Sequence, residues 1–309
     1  MPDGIQTGRR RQAQRAPRAA LYRPVEYAAW TAWARTPAEI TWGAALSRQQ
    51  QPNPSAAAVQ KLRVRYAKRG RLRFTSHRDV ARTFERALRR AGVPMAYSQG
   101  FSPHPKVSWV GAAPTGVASE AEYVEVSVVD AVDPEALRAE LDKALPPGLD
   151  VLEIVQAGTG SLTERIEASA WRVELPGVDP ERLSEAVSAL LAAESVEVER
   201  LTKNGKRMVD VRPAVVTASV VEPASGEAPS SDAEHDAGGL SLPCGILVMV
   251  VRQLTPTVRP DDVLSALGVV ADLVPPVPAK ATRMAQGRLD DEGGLVDPFA
   301  LDRASVEEG

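Results

Sequence analysis

Two of the chain's three histidines, His77 and His104, stand 27 residues apart inside its most basic stretch. Imidazoles can both donate and accept protons near neutrality, so this pair, with the phenol of Tyr97, could share general acid–base work on a phosphodiester without a metal. The surrounding residues, 61–106, hold thirteen Lys and Arg against two acids, Asp79 and Glu85. That is a local charge of +11 in a chain whose total is −3. Arg63, Arg65, Arg71 and Arg73 precede His77, and Arg78, Arg82, Arg86, Arg89 and Arg90 follow it. Such density suits a polyanion or an acidic partner face.

The stretch closes with a loop rich in Pro, Gly and aromatics, from Tyr97, Ser98 and Gln99 through Gly100 and Phe101 to His104 and Lys106. Tyr97 and Phe101 flank Gly100 and could stack on a base or pin the loop to the core. His104 lies between Pro103 and Pro105, which hold it extended and keep it out of a central strand. Its alternatives are a functional role and a loop-bracing one. Glu120, Glu122 and Tyr123 follow and are positioned to meet arginines across a sheet. The candidate ligand-binding set is therefore Arg73, His77, Arg78, Arg82, Arg86, Arg89, Tyr97, Ser98, Gln99, Phe101, His104, Lys106, Glu122 and Tyr123. No catalytic residue is assigned beyond the candidates His77 and His104, and no metal ligand or cofactor is assigned at all.

The elements that must position these groups follow from periodicity. Lys61–Tyr66 alternates basic and apolar residues, as a strand with one solvated basic face should, and Arg71–Phe74 continues the alternation. Ser76 is a good N-cap, Asp79 sits three residues on, and Val80, Phe84, Ala87, Leu88 and Ala91 recur at helical spacing. Gly92 and Pro94 end that helix. Strands are expected over 106–112, 121–129 and 149–156, with a helix over 133–145 opened by Pro134. The order β-α-β-β-α-β is that of a split βαβ, or ferredoxin-like, motif. A second pass follows: strand 168–175, helix 179–193, strands 196–201, 206–221 and 240–253, helix 259–267 and strand 278–284.

The expected fold class is α+β, with two tandem ferredoxin-like domains. Residues 1–58 read as an Arg/Ala/Pro-rich, mostly disordered extension, although 26–47 could form a short helix docking through Trp30, Trp33 and Trp42. Residues 59–158 form the basic domain. Residues 161–286 form the second, with a disordered loop at 222–239 that contains His235. Residues 287–309 read as an acidic, frayed tail.

Cys244 is the only cysteine, which excludes an intrachain disulfide and any multi-cysteine zinc or iron–sulfur site made by this chain alone. Its apolar surroundings make it a small core residue. No apolar run reaches the roughly twenty residues of a spanning helix, and no apolar stretch follows Arg9-Arg10-Arg11, so a cytoplasmic location is expected.

Four ordered motifs carry a family resemblance. They are Leu72-Arg73-Phe74-Thr75-Ser76-His77-Arg78-Asp79; the run from Arg82 and Phe84 through Glu85-Arg86-Ala87-Leu88-Arg89-Arg90-Ala91; Ala96-Tyr97-Ser98-Gln99-Gly100-Phe101-Ser102-Pro103-His104-Pro105-Lys106; and Gly116 with Ser119-Glu120 and Glu122-Tyr123. On these the chain closely resembles the radical-SAM-linked, or radical-SAM-associated, uncharacterised bacterial proteins. The resemblance is densest over 61–128. It implies a radical SAM partner, because relatives occur fused to, or as separate chains beside, radical SAM proteins with a cobalamin-binding-type domain. It brings no established activity. A radical SAM cluster needs three closely spaced cysteines, so the resemblance implies a companion rather than the catalyst.

Three functions follow as expectations. The first is a non-catalytic companion that binds RNA, or presents an RNA- or ribosome-related substrate, through a basic surface. The alternatives are a metal-independent RNA-processing enzyme using His77 and His104, and a structural protein–protein interaction module.

Overall fold

The computed structural model describes residues 56–202, 205–222 and 243–307. The expectations for 1–58 and 222–239, with the Trp30–Trp42 helix and His235, fall almost wholly outside the described residues. Within them the elements are β1 (Gln60–Lys68), α1 (His77–Arg90), β2 (Val107–Val110), β3 (Ala118–Val128), α2 (Pro134–Ala144) and β4 (Leu149–Gln156). Then come β5 (Ala168–Pro176), α3 (Pro180–Ala192), β6 (Glu197–Thr202), β7 (Gly205–Asp210), β8 (Val215–Val221) and β9 (Cys244–Arg252). The chain continues through α4 (Pro260–Ala271), β10 (Lys280–Leu289), β11 (Leu295–Val296) and α5 (Ala300–Glu307).

The fold is mixed α+β, with a large, mostly antiparallel sheet and few helices. Among the described residues nine strands share that sheet, in the order β4-β1-β3-β10-β5-β9-β8, with β2 added to β3 and β11 to β10. The first half therefore runs β4-β1-β3-β2 and the second β10-β5-β9-β8. They join where Thr282 and Arg283 of β10 pair in parallel with Ala118 and Ser119 of β3. β6 and β7 form a separate hairpin. No helix among the described residues is long and apolar enough to cross a membrane.

Period-two alternation places Leu62, Val64 and Tyr66 on one face of β1, with Val124, Val126 and Val128 beside them on β3. Val80, Phe84, Ala87 and Leu88 of α1 and Leu137 and Leu141 of α2 cover that face. A second core packs Trp171, Val173, Leu247 and Met249 against Leu183, Val187 and Leu190 of α3 and Val263 and Leu267 of α4.

Three local expectations are corrected. Arg71–Phe74 lies in a 3-10 helix, Gly70–Phe74, not a strand. Both edges of β1 are already occupied, by β3 and β4, so a returning strand has no partner there. The single strand expected over 206–221 is two, β7 and β8, separated by a 3-10 turn at Arg212–Ala214 that contains Pro213. The frayed tail expected from 287 is folded chain. β10 runs on to Leu289, and Phe299 and Asp302 are wholly buried.

Candidate nucleic-acid interface

Helix α1 presents the arginines, and its ends fix where they point. The Ser76 hydroxyl accepts a hydrogen bond from the Asp79 amide at 3.3 Å, capping the N-terminus. At the other end Gly92 adopts φ 67°, while the Val93 amide donates to the Leu88 carbonyl and the Gly92 amide to that of Arg89. This is a Schellman closure that needs a residue tolerant of positive φ. With Val80, Phe84, Ala87 and Leu88 turned inward, His77, Arg78, Arg82, Arg86, Arg89 and Arg90 are exposed.

Arg78, Arg82, Arg86 and Arg90 follow one another at four-residue spacing, about 6 Å of rise per step. Each neighbouring like-charge pair opposes the helix by about 0.2–0.5 kcal/mol, so the stripe costs on the order of 1 kcal/mol in the free protein. Compensation within 4 Å is thin among the described residues, and the exposed Glu85 of the same helix, three residues from Arg82 and four from Arg89, offsets part of the repulsion. Arg82 lies 3.8 Å from Asp79, Arg86 donates to the Thr83 hydroxyl at 3.0 Å, and Arg90 donates to the Ala144 carbonyl. Arg78 and Arg89 have no ion pair there. Elsewhere some exposed cations are matched, as with Arg138 and Glu135 (2.6 Å) and Lys206 and Glu199 (2.8 Å), while Arg207, Arg252 and Arg288 have no ion pair among the described residues.

Six residues, 91–96, lead from α1 into the loop, a reach of at most about 20 Å. Tyr97 pairs with Pro105 across the loop, and its neck is tied by the Ser98 amide to the His104 carbonyl (2.8 Å) and the His104 amide to the Ser98 hydroxyl (2.9 Å). Ser98 and the His104 backbone are thus braces. The loop presents Phe101, 84 % exposed, and Tyr97, 38 % exposed, along with Gln99, His104 and Lys106. His77 meets a different neighbour, its ring edge-on to Trp109 at 5.3 Å. No described contact joins His77 to His104.

Several candidates leave this surface. The β1 face expected to be solvated is covered. Arg63 is 1 % exposed and is held by Asp302, by Glu125 (3.0 Å) and by the Gly160 carbonyl (2.6 Å). Arg65 donates to the Glu120 carbonyl, and Arg69 bridges Glu120 and Asp150. Arg73 is half-buried, its guanidinium 4.7 Å from the Phe74 ring centre. Glu122, 2 % exposed, pairs with Arg283 and accepts the Ala113 amide at 3.0 Å. Tyr123 is buried against Phe299, ring centres 5.3 Å apart. Glu122 and Tyr123 belong to the interior, not to a ligand surface, because the segments that bury them come from 160 or more residues later.

The sequence reading missed Arg283, Asp302 and Lys68 as interior charges. Lys68 is buried beside Glu122 and donates to the Pro114 carbonyl at 3.3 Å. Burial lowers its pKa, the nearby Glu122 works against that, and Arg283 adds to it. The one signal available was an excess of acids in the last fifty residues, which the basic front required. Among the described residues no three His, Cys, Asp or Glu side chains cluster so as to hold a metal ion.

A family model described as "Uncharacterized protein conserved in bacteria (DUF2344)" matches residues 61–260. The chain belongs to that family. The DUF2344 match takes in α1, the loop, Glu122 and Tyr123, whereas Arg283 and Asp302 lie beyond it. No curated protein matches the chain. Among solved structures, an unknown protein from Galdieria sulphuraria is 16% identical, covering 72% of this chain and 98% of that one, with a TM-score of 0.21. The first two RRM domains of yeast poly(U) binding protein are 11% identical over the same shares, with a TM-score of 0.18. At those scores neither likeness bears on fold or function.

Proposed function

We propose that this DUF2344 chain is a non-catalytic companion of a radical SAM enzyme of the cobalamin-binding type, and that it binds RNA, or presents an RNA-related substrate, through α1 and the 97–106 loop. The radical SAM partner rests on the motif resemblance alone. The RNA part rests on one observation, the exposed stripe Arg78-Arg82-Arg86-Arg90 with so little acid beside it. A helix that keeps four like charges in line gives up stability, and a phosphate backbone restores it by releasing counterions. Exposed Phe101 and Tyr97 supply flat apolar surface on which bases can stack. The strand orders β4-β1-β3-β2 and β10-β5-β9-β8 support reading the two halves as tandem ferredoxin-like units on a shared sheet.

The deciding experiment is a titration of single-stranded RNA against the parent and a triple variant, R78A/R82A/R89A, at several salt concentrations, with folding checked by circular dichroism. Each lost phosphate contact should reduce the salt slope by about 0.7. Equal affinity and slope in both proteins would sink the RNA reading and leave a protein partner in the lead. RNA cleaved in the same mixtures without added metal would instead move the reading to acid–base chemistry by His77 and His104.

A further inference from the structure

The stripe does not end on α1. A groove of about 600 Å³ opens between the C-terminal ends of α1 and α2, lined by Thr83, Arg86, Arg89, Arg90, Lys143, Ala144, Leu145 and Pro146. Four of those eight residues are cations and none is an acid. The C-terminal end of a helix carries partial negative charge from its unpaired carbonyls, which on its own would repel an anion. Here the Arg90 guanidinium is bonded to the Ala144 carbonyl, which neutralises part of that charge at the end of α2. Lys143 is exposed and held by Glu140 at 2.7 Å, an exposed pair of little strength that a phosphate can displace. Arg86 and Arg89 project from the facing helix, Arg86 tied only to Thr83 and Arg89 to no carboxylate among the described residues.

We infer that this groove is a phosphate seat, in which Arg86 and Arg89 of α1 and Lys143 of α2 hold one phosphate of the RNA strand while Thr83 offers a hydroxyl. The inference rests on the RNA-binding reading and extends it from one helix to two. It makes Lys143, which no feature of the sequence singled out, part of the interface. The groove sits at the C-terminal end of α1, from which residues 91–96 lead to the 97–106 loop. The ligand chemistry is a phosphodiester or a terminal phosphomonoester.

The test compares the parent with K143A, an exposed change that removes no core contact, and with the control E140A, which leaves Lys143 in place without its Glu140 partner. Short single-stranded RNAs bearing a 5′-phosphate or a 5′-hydroxyl are titrated at several salt concentrations. K143A should weaken binding by roughly threefold or more at moderate salt and lower the slope by about 0.7, whereas E140A should tighten binding. A loss seen only with the 5′-phosphate assigns the seat to a terminal group, and an equal loss with both RNAs assigns it to an internal phosphodiester. Parent-like affinity and slope in K143A would overturn the groove while leaving the stripe intact. No RNA binding by the parent would overturn the stripe as well.

Discussion

Arg63 on β1 and Asp302 on α5 are 239 residues apart in the chain, yet the Arg63 Nη1 donates to both carboxylate oxygens of Asp302, at 2.6 and 2.8 Å. Arg165 reaches the same carboxylate at 3.0 Å, and the Gly158 amide donates to it at 2.9 Å. Burial tends to lower the pKa of Arg63, but hydrogen bonds to Asp302 and Glu125 outweigh it and hold the group more firmly charged. The last helix is therefore part of the first half's structure, sealing the sheet face that α1 and α2 leave open.

Removing the Asp302 carboxylate should be costly. In D302A, Arg63 stays buried with Glu125 and a carbonyl as its remaining partners, and a broken buried pair costs about 3–5 kcal/mol. Replacing both charges, as in R63M/D302L, should recover part of that loss, because the buried Arg63 guanidinium is gone, while Arg165 and Glu125 still lose a partner. Urea unfolding of the parent and the two variants measures it. A D302A protein as stable as the parent would show that the Asp302 carboxylate contributes nothing to the fold.

The pair Glu122–Arg283 ties the two halves where β3 meets β10. Arg283 also donates to the Ser119 hydroxyl at 3.3 Å, and Gln286 donates to the Ala121 carbonyl at 2.6 Å. E122Q and R283M should each destabilise, and their double mutant should be less destabilised than the sum by about 0.5–3 kcal/mol. Additive losses in a double-mutant cycle would show that the two residues act independently.

What the sequence made legible divides along contact range. The capping of α1 by Ser76, the closure at Gly92 and the inward set Val80, Phe84, Ala87 and Leu88 depend on neighbours within five residues, and all are in the structure. The fate of β1's arginines depends on Asp302, which no local pattern can reveal. Alternation told correctly which residues share a face with Arg63, but it could not tell that α5 covers that face. Acidic composition after residue 286 looked like a solvated tail for the same reason. One of its acids, Asp302, is the counter-charge of arginines more than a hundred residues earlier, and its Arg303 reaches back to Glu153. Of the site, the α1 arginines could be read as exposed, the loop aromatics stayed open between stacking outward and pinning the loop until the structure showed them exposed, and Glu122 and Tyr123 could not be recognised as interior.

Alkaline pH should unfold the protein partly through Tyr66. Burial raises its pKa well above 10.0, with Glu122 adding to the rise and Arg283 opposing it. The folded chain therefore keeps the phenol protonated where the unfolded chain releases its proton. The associated stability is fully present below pH 10 and is lost as pH climbs from there toward the folded-state value. Y66F has no such proton to lose, so its stability should fall less steeply above pH 10 in urea titrations. Identical slopes in parent and Y66F would show that Tyr66 ionises as freely in the fold as outside it.

The arginine stripe makes a prediction in which stability and binding move in opposite directions. Arg86 has Arg82 and Arg90 at four-residue spacing on either side, and its only described hydrogen bond is to Thr83. R86Q removes two repulsive pairs and keeps a good helix former, so the free protein should gain about 0.4–1 kcal/mol at low ionic strength. The same change removes a phosphate contact and should weaken RNA binding, with a salt slope smaller by about 0.7. Both effects are electrostatic and should shrink toward nothing near 1 M salt, where screening acts over about 3 Å. If Arg86 instead serves the fold, R86Q will lose stability at every salt concentration. Melting curves and RNA titrations on one preparation at low and high salt separate these outcomes.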